Sequence, residues 1–213
     1  MRRGTAGRET ENQTMNHSLR HAAAAVGLLL VMGNTMLSTT HAAAAETSVC
    51  NLSAWSTDTD PNGLAVRSGP GTGHAVIARL PPPGGVAGYD HAAEVTITGS
   101  QNGWFRISDA IMLDYEGNKP DKVLFRGEGW VSGRYLSLML NAPTLHRGPS
   151  SEAPVVAQLS FIAPDGNAVG PDSYTVRIHA CKGDWVEVNA SFEDRHVHGW
   201  ATRTCSSQVT TCP

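Results

Sequence analysis

Val66-Arg67-Ser68-Gly69-Pro70, a five-residue spacer and then Val76-Ile77-Ala78-Arg79-Leu80 form the stretch that decides the fold, because the chain writes it twice. Residues 145–159 read Leu145-His146-Arg147-Gly148-Pro149, another five-residue spacer, and Val155-Val156-Ala157-Gln158-Leu159. The spacing from Gly-Pro to the closing leucine is the same in both. Downstream, Asn102-Gly103-Trp104-Phe105-Arg106-Ile107 is answered by Gly183-Asp184-Trp185-Val186-Glu187-Val188, and Gly129-Trp130-Val131 by Gly199-Trp200-Ala201. Three anchors recurring in one order mark an internal repeat.

Each anchor has a physical meaning. In the Gly-Pro element, proline fixes φ and glycine admits an unusual backbone angle, so a strand ends there in a tight turn. Val76-Ile77-Ala78 and Val155-Val156-Ala157 are short β-branched runs suited to half-buried strands. Val95-Thr96-Ile97-Thr98, Tyr174-Thr175-Val176-Arg177-Ile178, Trp104-Phe105-Arg106-Ile107 and Trp185-Val186-Glu187-Val188 alternate with period two. Turn residues separate them, Gly99 to Gly103 in the first copy and Lys182-Gly183-Asp184 in the second. No amphipathic helix longer than a turn or two stands out. The expectation is an all-β chain.

The order of these motifs resembles the bacterial SH3-like domain (SH3b), with its N-V-R-x-G-P segment, a strand pair ending in G-W-x-x-V and a final G-W-V strand. The first copy carries Ala65-Val66-Arg67-Ser68-Gly69-Pro70, Gly103-Trp104-Phe105-Arg106-Ile107 and Gly129-Trp130-Val131-Ser132-Gly133-Arg134-Tyr135-Leu136, with Ala65 in the usual Asn place. The second copy is degenerate. Taking Arg147 as the counterpart of Arg67, it lacks the spacer before its glycine, and Trp200 is followed by Ala201. The resemblance implies two small, strongly bent five-stranded barrels in tandem, one over 46–140 and one over 141–213. They meet near Leu140-Asn141-Ala142 without a Gly/Ser linker, so they are expected to pack together. Two insertions, 81–92 and 110–126, read as long loops of the first barrel, and loops of that size often carry function.

Residues 1–45 read as a secretory signal peptide, with a basic start, an apolar run around Val26 to Met32 and the small residues Ala42 to Ala45 before the cut. Gly33, Asn34, Ser38 and Thr39 interrupt that run short of a membrane span. Met15 makes a more typical start than Met1 for such a leader, and Thr47 and Val49 do not form a lipobox before Cys50. Four of the 16 Lys/Arg and two of the 19 Asp/Glu precede Glu46, which leaves 12 against 17 and a net charge of −5. An acidic chain with no basic run does not bind nucleic acid by phosphate neutralisation. The membrane enters only through the cleaved leader, and the location expected is periplasmic or secreted.

All four cysteines, Cys50, Cys181, Cys205 and Cys212, follow the leader. In an exported chain they read as disulfides with three connectivities. The favoured pairing is Cys181–Cys205 with Cys50–Cys212. No C-x2-C pair favours a metal.

Chemistry is scarce. SH3b domains often accompany cell-wall hydrolases, but nothing outside the repeats is long enough for a catalytic domain, and neither G-x-S-x-G nor H-E-x-x-H occurs. No catalytic residue, cofactor or metal is expected. His196-Val197-His198 would put two rings on one strand face but brings no third ligand, so a solvated loop is the simpler reading. The recurring tryptophans read first as core, while Trp55 stands outside the anchors. Arg67 and Arg147 read as bonding turn carbonyls. The resemblance implies a binder of cell-wall (peptidoglycan) peptide or of a periplasmic protein, with Trp104, Trp130 and Tyr135 stacking on an extended segment. The alternative is an inhibitor or immunity-type protein that blocks a periplasmic enzyme with one of its long loops.

Overall fold

The computed structural model describes residues 45–171 and 173–212, with the side chains of 173–176 left aside. The signal-peptide reading lies outside these residues. Residues 43–213 form one compact unit, and its elements are strands apart from one 3-10 turn, Gly133–Tyr135. No described helix is long and apolar enough to cross a membrane.

The first sheet holds β1 (Ser48–Ser56), β2 (Leu64–Arg67), β3 (Val76–Leu80), β4 (Glu94–Gln101), β5 (Trp104–Met112), β6 (Lys122–Ser132) and β7 (Leu136–Ser137). Their order is β3-β2-β6-β5-β4-β1-β7. The second holds β8 (Met139–Leu140), β9 (Thr144–His146), β10 (Val155–Gln158), β13 (Ser173–Lys182), β14 (Trp185–Phe192), β15 (Arg195–Ala201) and β16 (Thr204–Cys205), in the order β10-β9-β15-β14-β13-β8-β16. A ribbon of β11 (Phe161–Ile162) and β12 (Ala168–Val169) is inserted between β10 and β13. With the ribbon set aside, the two sheets have one strand order.

Alternation does what the sequence leads one to expect. On β14, Val186, Val188 and Ala190 are buried and Trp185, Glu187 and Asn189 are half-buried, while Phe105 and Ile107 on β5 are wholly buried between more open neighbours. The turn between β4 and β5 is shorter than Gly99 to Gly103. Gly99 and Ser100 are ladder residues, and only Asn102 (φ 52°) and Gly103 (φ 77°) turn. Two consecutive left-handed residues are the hairpin turn whose twist suits antiparallel strands, and Asn-Gly adopts it at least cost.

Several expectations are corrected. Residues 110–126 are not one loop, because β5 and β6 stay paired out to Met112 opposite Lys122, so only 113–121 are irregular. Val76 and Ile77 are 41% and 49% exposed, since β3 is an edge strand, as is β10 with its exposed Val155 and Val156. The counterpart of Arg67 is His146, not Arg147. Arg67 lies opposite Trp130 on β6 and His146 lies opposite Trp200 on β15. The two Gly-Pro turns then agree bond for bond. Ser68 N donates to Ala75 O and Arg147 N to Pro154 O, Gly71 N to Gly69 O and Ser150 N to Gly148 O, His74 N to Gly71 O and Ala153 N to Ser150 O.

The disulfides are Cys50–Cys181 and Cys205–Cys212, not the favoured Cys181–Cys205 and Cys50–Cys212. Cys50 lies near the start of β1 and forms a parallel bridge with Gly183, so the end of β13 is its nearest neighbour. Asn51 N donates to Gly183 O (2.9 Å) and Gly183 N to Val49 O (2.8 Å). Cys212 is folded back beside Cys205 by a short terminal loop, which the order of motifs could not foretell.

One contiguous core runs through both sheets, from Leu52, Ile97 and Phe105 to Ile178, Val186 and Val188. Leu136, Leu138 and Leu140, at the crossing from one sheet to the next, are fully buried. A Cβ on Gly133 would lie 2.4 Å from the Phe105 ring and 2.6 Å from the Ile178 carbonyl, so glycine is what lets β13 approach the first sheet there.

Chain entropy ranks the bridges. The 131-residue separation of Cys50 and Cys181 gives about 5 kcal/mol, and the seven-residue separation of Cys205 and Cys212 about 2.5 kcal/mol. Cys50→Ala/Cys181→Ala is therefore expected to lower the urea midpoint about twice as far as Cys205→Ala/Cys212→Ala. Equal losses would show that the ends of β1 and β13 hold together without the bond.

Candidate functional site

The site is built from the β1–β2 loop upward. Asp60 accepts from the Asn62 backbone N–H (2.8 Å) and side-chain amide (3.0 Å), Asp58 accepts from Asp60 N (3.0 Å), and Gly63 N donates to Asp60 O (2.7 Å). Acid-amide side chains that bond their own backbone two residues on are a self-contained way to order a turn. The Asn62 N–H, then its side chain, hold the Asp60 carboxyl below the usual carboxylate range. Gly63 has φ 74°, and a Cβ there would lie 2.1 Å from Leu80 O, so the loop lies directly against the end of β3.

The ordered loop forms one wall of a groove of about 320 Å³. Trp104, at the first residue of β5, and Tyr135, in the 3-10 turn, supply its aromatic faces. Around them stand Arg67, Arg79, Arg134, Asp58 and Asp60. Arg67 donates to Thr72 O (3.0 Å) and His74 O (2.8 Å), the turn-carbonyl role expected of it. Arg79 donates to Gly63 O (3.1 Å). The exposed Arg134 guanidinium lies 5.2 Å from the centre of the Tyr135 ring, and Thr57 N donates to Tyr135 O (2.8 Å). Two carboxylates, three guanidinium groups and two rings thus share a shallow groove that can stack on a chain and pair with charges of both signs.

Of the three expected binding aromatics, Trp104 and Tyr135 come together and Trp130 does not. Trp130 is 6% exposed and is not in the groove wall. It shares a face with Arg67 and Arg106, its direct partners on either side, and those neighbours flank it. Asp58, Asp60, Arg79 and Arg134 line the groove from outside the expected set. The Asp58-Thr59-Asp60-Pro61-Asn62-Gly63 turn signature was the signal that could have found the first two.

Residues 62–137 match the family model of the bacterial SH3 domain. The matched segment contains most of the groove, including Trp104, Arg134 and Tyr135, and leaves Asp58 and Asp60 just ahead of it. No curated protein and no solved structure matches the chain.

The two insertions brace each other: Tyr89 Oη donates to Pro120 O (2.7 Å), Lys119 Nζ to Gly88 O (2.6 Å), and Lys119 lies 5.4 Å from the Tyr89 ring centre. Trp55 is buried on β1 and lines a recess with His91 and Gln208. His196 and His198 bond Ser191 (3.1 Å) and Asn189 (3.3 Å), and His198 lies 3.4 Å from Glu187. Among the described residues no three His, Cys, Asp or Glu side chains are grouped to hold a metal ion.

One buried carboxylate ties the terminal loop down. Glu94, 7% exposed, accepts from the Tyr115 hydroxyl, from Ser206 Oγ (2.5 Å) and from Gln208 Nε2 (3.2 Å). Gln208 also exchanges bonds with both backbone groups of Ala92 (2.9 and 3.1 Å). Burial, then the bond to Glu94, raises the Tyr115 hydroxyl well above the ordinary phenol range. A phenol raised in the folded state keeps its full contribution below pH 10 and loses it as pH climbs toward the folded value. Tyr115→Phe is expected to lower stability by about 1–3 kcal/mol at pH 8, because the buried carboxylate loses a donor. It should also shrink the further loss on going from pH 8 to pH 11, as read in urea unfolding at the two pH values. An unchanged alkaline loss would remove Tyr115 as its source.

Proposed function

We propose that this is an exported, non-catalytic protein of two tandem SH3b-like barrels, 46–140 and 141–213. It binds an extended peptide, from the cell wall or from a periplasmic protein, in the groove between Trp104 and Tyr135. The observation that carries the reading is the convergence of these two rings with Arg134 and Asp60 inside the segment that matches the bacterial SH3 domain, or at its border. Aromatic faces take up a flat, extended backbone without demanding one sequence, while the two signs of charge suit a peptide that carries both amine and carboxylate. Two sheets of one strand order support the tandem reading, and two disulfides support an oxidising compartment.

The braced insertions favour a second reading, an inhibitor or immunity-type protein. The Tyr89–Pro120 and Lys119–Gly88 bonds tie 81–93 to 113–121, a stiffness that would suit a loop blocking an enzyme's cleft.

Sedimentation with purified peptidoglycan separates the two. The peptide reading expects the protein in the pellet, and expects Trp104→Ala and Arg134→Ala to weaken retention about tenfold or more, as for anchor residues of an interface. Arg134 is exposed, so its variant keeps the fold. Protein left wholly in the supernatant counts against a wall ligand and favours a partner captured by the 81–93 and 113–121 loops.

A further inference from the structure

A second groove, of about 480 Å³, opens where the start of β1 meets the β13–β14 turn and the β15–β16 connection. Its wall presents Asn51, Ser53, Asp184, Thr202, Arg203 and Thr204 among its polar residues, with Leu52 and Cys205 also in the lining. No aromatic ring lines it, unlike the Trp104 groove.

Three observations converge on it. The side chains of Ser53, Thr202, Thr204 and Arg203 take no protein hydrogen bond among the described residues and stand at least partly open to solvent, so four polar groups in one concavity are available to a ligand. Arg203 is held in the left-handed region, φ 58°, by the bond from Asn141 N to its carbonyl (2.8 Å). A non-glycine residue kept there is strained, and such strain clusters at ligand-binding and other functional sites. Both disulfides frame the groove. Cys50–Cys181 locks the strand carrying Asn51 against the turn carrying Asp184, whose side chain accepts from Asn51 Nδ2 (3.1 Å), and Cys205 lies in the wall. A groove fixed on both sides loses little entropy when a ligand enters.

The chemistry of the wall selects the ligand. Hydroxyls both donate and accept, the same dual capacity as the hydroxyls of a sugar. One carboxylate and one guanidinium balance in charge, and no ring is offered for stacking, so neither an ionic chain nor an aromatic base is matched. We infer that this groove is a second binding site that takes a neutral saccharide, with adjacent sugar hydroxyls held between Asp184, Asn51 and Arg203. The inference stands whether or not the Trp104 groove takes a peptide.

The test titrates the disulfide-intact protein with the β-1,4-linked trimer of N-acetylglucosamine and, separately, with maltotriose, reading amide shifts by NMR. The expected result is saturable binding of at least one of them at about millimolar affinity or tighter, with shifts centred on residues 51–53, 184 and 202–204. Arg203→Gly keeps the left-handed backbone at lower cost and should weaken that binding about tenfold or more. Thr204→Val should act in the same direction and serves if the first variant fails to fold, while Trp104→Ala should leave sugar affinity unchanged. No shift with either sugar at about 10 mM overturns the proposal. Shifts centred on Trp104 and Tyr135, or wild-type affinity in folded Arg203→Gly and Thr204→Val, overturn it equally.

Discussion

Cys50 and Cys181 join β1 of the first sheet to β13 of the second across a separation of 131 residues. Sheets of this size bury little apolar surface alone, and here they meet over a shared core. Its centre is β13, which packs on the first sheet where Gly133 leaves room beside Phe105. The Ser100 hydroxyl works at the same seam, accepting from Cys181 N (2.9 Å) and donating to Cys181 O (3.3 Å). A covalent bond, a hydroxyl pair and a missing side chain therefore act within one short stretch. The crossing at Leu136 to Leu140 needs no linker composition for the same reason, since it is core rather than connection.

The legible part of the fold was whatever depends on local pattern. Alternation on β4, β5 and β14 names the buried residues, and the Gly-Pro spacing names two turns that agree in every bond given above. Alignment by residue identity misled at Arg147. The pairing partner decides equivalence, and His146 holds the place across from Trp200 that Arg67 holds across from Trp130. His146 also does the same work by different means, bonding Ala153 O (2.8 Å) where Arg67 bonds Thr72 O and His74 O. Edge position is not written in a strand's own residues either. Val76-Ile77 and Val155-Val156 have the composition of half-buried strands and lie exposed only because no strand follows them.

The candidate site was half legible for a related reason. Trp104 and Trp130 lie on the same side of the sheet, as the pairing of Trp104 with Ser132 and of Arg106 with Trp130 requires. Parity therefore cannot tell them apart. Place along the strand does, because Trp130 is flanked by Arg106 and Arg67 whereas Trp104 stands beside the hairpin turn with the β1–β2 loop across the groove. The carboxylates come from that loop, whose order depends on Asx bonds local to 58–63 and not on any feature of the repeat.

The same loop marks the difference between the two sheets. Between β8 and β9 only Asn141, Ala142 and Pro143 remain, so the second sheet has no wall to set opposite Trp185. Trp185 instead lies edge-on to His146, with ring centres 5.4 Å apart. At the other end of the second sheet stand the cysteines and the left-handed Arg203, where Cys50–Cys181 staples the seam with the first sheet. Concave surface is thereby moved from the face of a sheet to the junction between two. The wall there is set by hydroxyls and backbone geometry instead of aromatic rings, so the two grooves present different chemistry to solvent.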